Sequence, residues 1–468
     1  MNQASHPADG TVPAGSPHPA GPTRGPAASV LVVGGGVAGF AAVRELRRLG
    51  HTGALTLVDP EGLPYDRPPL SKEYLTGDAD PGRLLLAPPD WFAEHRVRVL
   101  TARAVRLDLS GPRPAAELDD GTRCETDMLV LAPGGRPRPL AVPGGDHPDL
   151  LVLRTRADAD RLAAGLHLGA RVVVIGAGFT GSEVASAARE ALADVTLVTT
   201  GPAPSSAALG PALAERVHRE HTRRGVRVVE GLVIAVEHDA GTHRVCVRHP
   251  DGGQEVLEAD TVVAAVGIEP DVSLAEAAGL ETDRGILVDA HGRTSHPAVY
   301  AVGDAAERRA AGTVTGAAAD DGAGAATDAV PDTETGTVPV RAPAPVTHTP
   351  TMHWEPAMRS GAAAAAAILG EPVPDAGAPW FWSDRHGMHL EGVGTMLPPA
   401  GGCVVDRLVH GEPVASFALD ADGLLVGAAS LDDPTVVRAA RRLIDRRIPV
   451  DPARLADPEV PVRSLLRG

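Results

Sequence analysis

The chain carries a single lysine, Lys72, three widely separated cysteines and no long apolar run. Each shortage removes a class of protein. Cys124, Cys246 and Cys403 are too few and too far apart for a disulfide framework or a Cys-type zinc site, and no metal site is expected. No stretch reaches the roughly 18 consecutive apolar residues that a membrane helix needs, so no membrane partner is expected. The first 28 residues are rich in Pro, Gly, Ala and His, with neither a charged start nor an apolar centre. They read as a disordered tail and not as a signal peptide, which places the protein in the cytoplasm. A formal net charge of −17 argues against nucleic acid, whose phosphates reward a basic surface.

What is present is two copies of one pattern. At 468 residues the chain is too long for one core, and two to four domains are expected. Val30-Leu31-Val32-Val33 runs into Gly34-Gly35-Gly36-Val37-Ala38-Gly39, a helical stretch from Phe40 to Leu49, and a second strand ending at Asp59. The pattern recurs as Arg171 to Ile175, then Gly176-Ala177-Gly178-Phe179-Thr180-Gly181, a helix from Ser182 to about Leu192, and a strand ending at Thr199. Apolar strands at 127–132 and 260–265 each lead to a turn glycine, Gly134 and Gly267, and a third such strand ends at Asp304. That late strand predicts a discontinuous first domain with the second inserted into it. The fold class is therefore α/β, with two Rossmann-like dinucleotide-binding domains, one inserted in the other. A C-terminal α+β domain with an antiparallel sheet follows, from the alternation at 403–409, 414–419 and 423–429 and a helix over 434–447.

The boundaries on this reading are 1–28 for the tail, 29–145 with 269–375 for the first dinucleotide domain, 146–268 for the second and 376–468 for the last. Residues 307–350 are Ala, Gly, Thr, Asp and Pro with few large apolar side chains, and read as a disordered insertion.

In each G-x-G-x-x-G the first glycine permits the turn and the second admits a pyrophosphate. The third lets helix and strand pack closely, and the phosphates rest on the helix N-terminus. The six residues are Gly34, Gly36 and Gly39, then Gly176, Gly178 and Gly181. Asp59 lies about 20 residues past the last glycine of the first copy, where a carboxylate accepts from ribose hydroxyls, with Glu61 as a rival. The second copy ends in Thr199-Thr200 with no carboxylate or arginine beside it, so neither NADH nor NADPH is favoured there. Between the copies lies Leu63-Pro64-Tyr65-Asp66-Arg67-Pro68-Pro69-Leu70-Ser71-Lys72, stiffened by three prolines and holding the only lysine. A lone ammonium in a chain that otherwise uses arginine marks a place where a planar guanidinium fails.

That loop resembles the ferredoxin reductase group (putidaredoxin-reductase-like and dioxygenase-reductase-like) of the FAD-dependent pyridine nucleotide–disulfide oxidoreductase superfamily. So do Gly-Ala-Gly-Phe-Thr-Gly-Ser-Glu at 176–183, Val-Gly-Asp at 302–304, Arg-Pro-Arg-Pro-Leu at 136–140 and Pro-Trp-Phe-Trp-Ser-Asp at 379–384. The resemblance implies FAD on the first domain, and NADH or NADPH as substrate on the second around Thr199 and Gly267. Ala38 and its glycines would hold the FAD pyrophosphate, Asp59 the adenosine ribose, and Ala104 and Ala132 the adenosine half. Arg67, Arg154, Asp304, Trp354 and Trp382 would surround the rest of the cofactor. Lys72 would stand beside the flavin, paired with Glu183, and these two are the catalytic candidates. The departures are Pro133 for a hydroxyl residue, Thr199 for an acid, Arg385 for Gln, and the insertion.

The implied activity is FAD-dependent NAD(P)H:ferredoxin reduction, with electrons leaving singly to a 2Fe-2S ferredoxin-type carrier that feeds an oxygenase. The alternatives are an NAD(P)H-sensing flavoprotein and a thiol-independent NADH oxidase. A disulfide-handling enzyme is disfavoured because no two cysteines lie near each other. The carrier is expected to dock on Arg438, Arg441, Arg442, Arg446 and Arg447, the densest basic stretch of an acidic chain.

Overall fold

The computed structural model describes residues 27–309 and 353–467, apart from 202, 240 and 374–376. Its first sheet has five parallel strands in the order Val299–Ala301, Met128–Leu131, Ser29–Val33, Ala54–Val58, Val97–Leu100. The central strand is apolar without alternation because helices and loops cover both faces, and Val30, Leu31 and Val32 are buried. Val299–Ala301 pairs with Met128–Leu131, so the late segment does return to the first domain.

The helices Val37–Arg48 and Trp354–Leu369 cross over this sheet at closest approach. Gly361 makes the crossing possible: a Cβ there would collide with the carbonyl oxygen of Ala38. The second sheet orders Arg227–Glu230, Asp194–Thr199, Arg171–Ile175 and Thr261–Ala264, again all parallel. A three-stranded antiparallel sheet (Leu232–Asp239, Thr242–Arg248, Gln254–Ala259) adjoins it. Gly135–Pro137 pairs with Ile268–Pro270 as a two-stranded ribbon where the chain enters and leaves the inserted domain.

The C-terminal sheet is antiparallel, in the order Trp380–Arg385, Met388–Gly394, Leu425–Leu431, Glu412–Leu419, Cys403–Val409. The helix Pro434–Asp445 packs its apolar side on that sheet through Val436, Val437, Ala440 and Leu443. The strand Met388–Gly394 departs from alternation, buried continuously from Leu390 to Val393, because Leu390 meets the inserted domain while Val393 meets its own core. Among the described residues, no helix is long and apolar enough to cross a membrane.

Two boundaries move. Ala306–Arg308 is a strand parallel to Ile286–Val288, and Glu307 is buried, accepting the Gly285 amide and pairing with Arg284. The expected insertion therefore begins later than 307, and the rest of it lies outside the described residues. The tail ends before Ala27, which is buried in the first core. The second glycine-loop helix also starts earlier than Ser182, at Phe179, because the glycine motif itself supplies its first turn.

Two buried histidines meet at the seam between the inserted and C-terminal domains. His386 Nε2 and His221 Nδ1 are 2.8 Å apart, and the Ser186 hydroxyl accepts the His386 amide at 2.7 Å. Burial pushes His386 down to about 4, and it pushes His221 further still, both with Arg385 nearby. The unfolded chain therefore binds the extra protons, so this contribution to stability is complete above about pH 6.5 and lost as pH falls towards 4. The melting temperature should drop across that interval, and less steeply for His221→Asn, as measured by differential scanning calorimetry at matched ionic strength.

Candidate functional site

Both glycine loops open on one cleft of about 970 Å³. Gly34 (φ +105°) and Gly176 (φ +102°) occupy the left-handed region, and a Cβ on either would strike the carbonyl of the strand beside it, Ala132 or Ala265. Gly39 and Gly181 repeat one another in the same way: a Cβ on each would strike its own motif's first glycine. These two do not line the cleft and serve packing alone. Gly36 and Gly178 precede the helices, and neither helix start has a side-chain cap. The first-turn amides and the positive end of each helix are thus free for an anion.

The first loop is backed by Asp59, whose carboxylate accepts from Gly35 N at 2.6 Å and Glu61 N at 2.8 Å. Asp59 lines the cleft. Its rival Glu61 is committed elsewhere, accepting Tyr65 Oη at 2.9 Å and pairing with Arg67 at 3.5 Å. Arg67 donates to the Arg154 carbonyl, and Arg154 pairs with Asp304 at 3.2 Å. Burial, with the neighbouring Arg67 charge, pushes Arg154 below its ordinary value. Its Nε is buried with no partner, a donor placed to meet an acceptor in the cleft. Trp354 Nε1 donates to Asp66 at 2.7 Å, and its ring meets Trp382 edge-on at 5.9 Å. Two amide cradles, one carboxylate behind the first of them and one orphaned guanidinium nitrogen fit two bound dinucleotides, FAD and a nicotinamide nucleotide.

The two halves meet at Lys72. The 3-10 turn Pro68–Ser71 ends at it, with Pro69 O accepting the Lys72 amide, and the proline-stiffened loop holds it in place. Lys72 Nζ lies 3.4 Å from Glu183 Oε1, 3.9 Å from Asp384 Oδ2 and 5.4 Å from the Trp382 ring centroid. Glu183, on the helix Phe179–Glu190, accepts Ser71 Oγ at 2.5 Å and Ser383 Oγ at 2.6 Å. One buried carboxylate therefore fastens the loop, the inserted domain and the C-terminal domain together. Its three partners meet the cost of burying it.

Of the residues expected from sequence, Gly34, Gly36, Ala38, Asp59, Arg67, Lys72, Ala132, Arg154 and Asp304 line the cleft, as do Trp354 and Trp382. Gly176, Gly178, Glu183, Thr199 and Gly267 do so on the other side. Ala104 does not: it is buried in a core cluster with Leu107 and Leu118, paired with Leu118 across a hairpin. Thr199 lines the cleft, but its hydroxyl is turned to Gly201, donating to the carbonyl at 2.9 Å. Arg441 leaves the basic face, making two bonds to Glu355 at 2.8 and 3.1 Å. Ser71, Ser383 and Gly361 were missed. The two serines sit inside the quoted motifs, but only their folded neighbour reveals their part.

A fold of this kind, with two glycine-loop dinucleotide cradles sharing one cleft and a cation–carboxylate pair at their junction, defines a two-dinucleotide oxidoreductase. A sequence model of the pyridine nucleotide-disulphide oxidoreductase family matches residues 28–322, and a reductase C-terminal model matches 380–466. The chain belongs to the pyridine nucleotide-disulphide oxidoreductase family and binds FAD, with NADH or NADPH as substrate. It is 32% identical to rhodocoxin reductase of Rhodococcus erythropolis over 431 residues, 92% of each chain. It is 31% identical to the ferredoxin–NAD(+) reductase component of the p-cumate 2,3-dioxygenase system of Pseudomonas putida, over 93% of this chain and 98% of that one. The solved covalent putidaredoxin reductase–putidaredoxin complex superposes with a TM-score of 0.79 at 30% identity, over 94% of this chain and 98% of that one.

Proposed function

We propose that this chain is a cytoplasmic NADH- or NADPH-dependent reductase of a 2Fe-2S ferredoxin-type carrier that supplies an oxygenase. The observation that carries the reading is the Lys72–Glu183 pair, set where the two cradles meet and without a thiol beside it. Bound FAD supplies a centre that accepts hydride and releases electrons singly. Gly36 and Ala38 hold its pyrophosphate, Asp59 its ribose, and Arg154 with Asp304 the stretch between them. Gly176, Gly178 and Gly267 hold the nicotinamide nucleotide. Lys72 places positive charge where negative charge develops, and Glu183 keeps that ammonium aimed. Trp354, Trp382 and Phe381 exclude water from the same end of the cleft. Anaerobic titration with NADH and then NADPH, followed by the visible spectrum and by reduction of a 2Fe-2S ferredoxin, tests the reading. A flavin that stays oxidised, or one that reduces and passes nothing on, defeats it.

All three cysteines are free: Cys124 and Cys246 are half-buried and Cys403 is exposed. None lines the cleft, and free thiols accord with the cytoplasm. A variant with all three changed to Ser should reduce ferricyanide at near the wild-type rate once circular dichroism shows it folded. Inactivity in that folded variant would return thiol chemistry to contention.

The carrier's docking face is proposed to be Arg438, Arg442, Arg446 and Arg447, which stay exposed after Arg441 turns inward. Reversing Arg438 and Arg442 to Glu should slow ferredoxin-coupled cytochrome reduction about tenfold at low salt, through the encounter rate. Ferricyanide reduction should be spared, and equal loss of both activities would remove the helix from docking.

A further inference from the structure

Behind the Lys72–Glu183 pair lies a second chamber of about 320 Å³, and Ser71, Lys72 and Glu183 line both it and the cleft. The pair is a partition. On its far side stand Asp384 and His389, whose side chains are 42% and 40% exposed, so the chamber reaches solvent where Lys72, at 10%, does not. His389 Nδ1 is 2.6 Å from Asp384 Oδ1 and Nε2 is 3.1 Å from Glu391 Oε1, while Asp432 accepts the His389 amide at 2.7 Å. Lys72, Asp384 and His389 thus form a file from the cleft to the surface.

The proposed reaction needs such a file. Resting on that reading, the balance is NAD(P)H plus two oxidised one-electron acceptors giving NAD(P)+, two reduced acceptors and one proton. Hydride brings one proton and two electrons into the cleft. The acceptors remove only electrons, so one proton must leave on every turnover. We propose that Asp384 and His389 are the proton exit, receiving from Lys72 Nζ and delivering to solvent.

At 3.9 Å the step from Nζ to Asp384 exceeds a direct hydrogen bond and takes one bridging water, for which the chamber has room. Asp384 passes the proton to His389 Nδ1, Nε2 releases its own to water or Glu391, and Lys72 is refilled from the cleft. The charges around the file favour a mobile cation. Glu73 and Asp78 face it from the loop, and Glu183 and Glu190 from the helix. Among the described residues that line the chamber, Arg385, from the same hairpin as Asp384, is the one cation besides Lys72 and the relay's own His389. Burial lowers the His389 imidazole, but its bonds to Asp384 and Glu391 outweigh that and raise it, so it holds a proton nearer neutral pH.

Rapid mixing of NADH-reduced holoenzyme with ferricyanide, with a pH-indicator dye present, reads electrons and protons together. Wild type should release one proton per two electrons in step with reoxidation. Asp384→Asn and His389→Gln should release it about tenfold to a hundredfold later, with an enlarged solvent isotope effect, and added imidazole should restore the rate. The His389 ring resonances followed by NMR should titrate at lower pH in Asp384→Asn, a readout independent of turnover. Proton release in step with electrons in both variants, untouched by imidazole, overturns the exit and leaves the reductase reading intact. A wild-type protein that passes no electrons to ferricyanide or ferredoxin overturns both.

Discussion

Replacing Lys72 by alanine should leave FAD bound and slow its reduction by NADH about a hundredfold, the usual cost of removing one preorganised group at a developing charge. The fold should survive, because Glu183 keeps two donors, Ser71 and Ser383. Binding should survive as well, since the cradles of Gly34 and Gly36 and the Asp59 carboxylate lie elsewhere on the cleft wall. Lys72→Arg should recover little. The space between Glu183, Asp384 and the Trp382 ring is shaped around one compact ammonium, and a planar fork cannot keep both the 3.4 Å contact and the ring face. Stopped-flow absorbance measures the reduction rate, and dye-coupled redox equilibration measures the flavin potential, which should fall. An unchanged rate and potential would take Lys72 out of the reaction.

Gly361→Val should act at the other extreme, on the cofactor rather than on the rate. The side chain would have to enter the space of the Ala38 carbonyl, where the Trp354–Leu369 helix crosses the helix of the first glycine loop. Overpacking of this kind costs roughly 1–3 kcal/mol and sometimes more. Relief comes only by moving one helix, and Ala38 and Trp354 both line the cleft. Purified protein should therefore carry little flavin, read from its visible-to-ultraviolet absorbance ratio, and should melt at lower temperature. Full flavin content with unchanged melting would mean that the two helices separate without cost. Ala362→Val, on the neighbouring half-buried position, is the comparison that isolates the contact.

How much of this was legible in the chain follows from how far apart the interacting groups are. A phosphate cradle is a local object. Its strand, its glycines and its uncapped helix are consecutive, so both copies and Asp59 could be read directly, and the late apolar strand just ahead of Asp304 disclosed the domain insertion. Lys72 was legible for a different reason: in an arginine-rich chain a single ammonium stands out by composition alone.

Proximity across the chain had no such signal. Ser383 reaches Glu183 only because the first strand of the C-terminal sheet lies against the helix Phe179–Glu190, and nothing at either position announces the other. Arg441 shares helical spacing with Arg438 and Arg442, yet Glu355, from a helix in another domain, removes it from their face. Ala104 sits in a plausible segment but points into the core, because strand alternation and register decide which face a residue takes. Local backbone chemistry determined the two cradles and the class of ligand, and composition alone marked the lysine. Only tertiary packing decided which side chains hold that lysine, which arginines stay free, and that a second chamber opens behind it. Those contacts join residues whose separation along the chain leaves no periodicity to read.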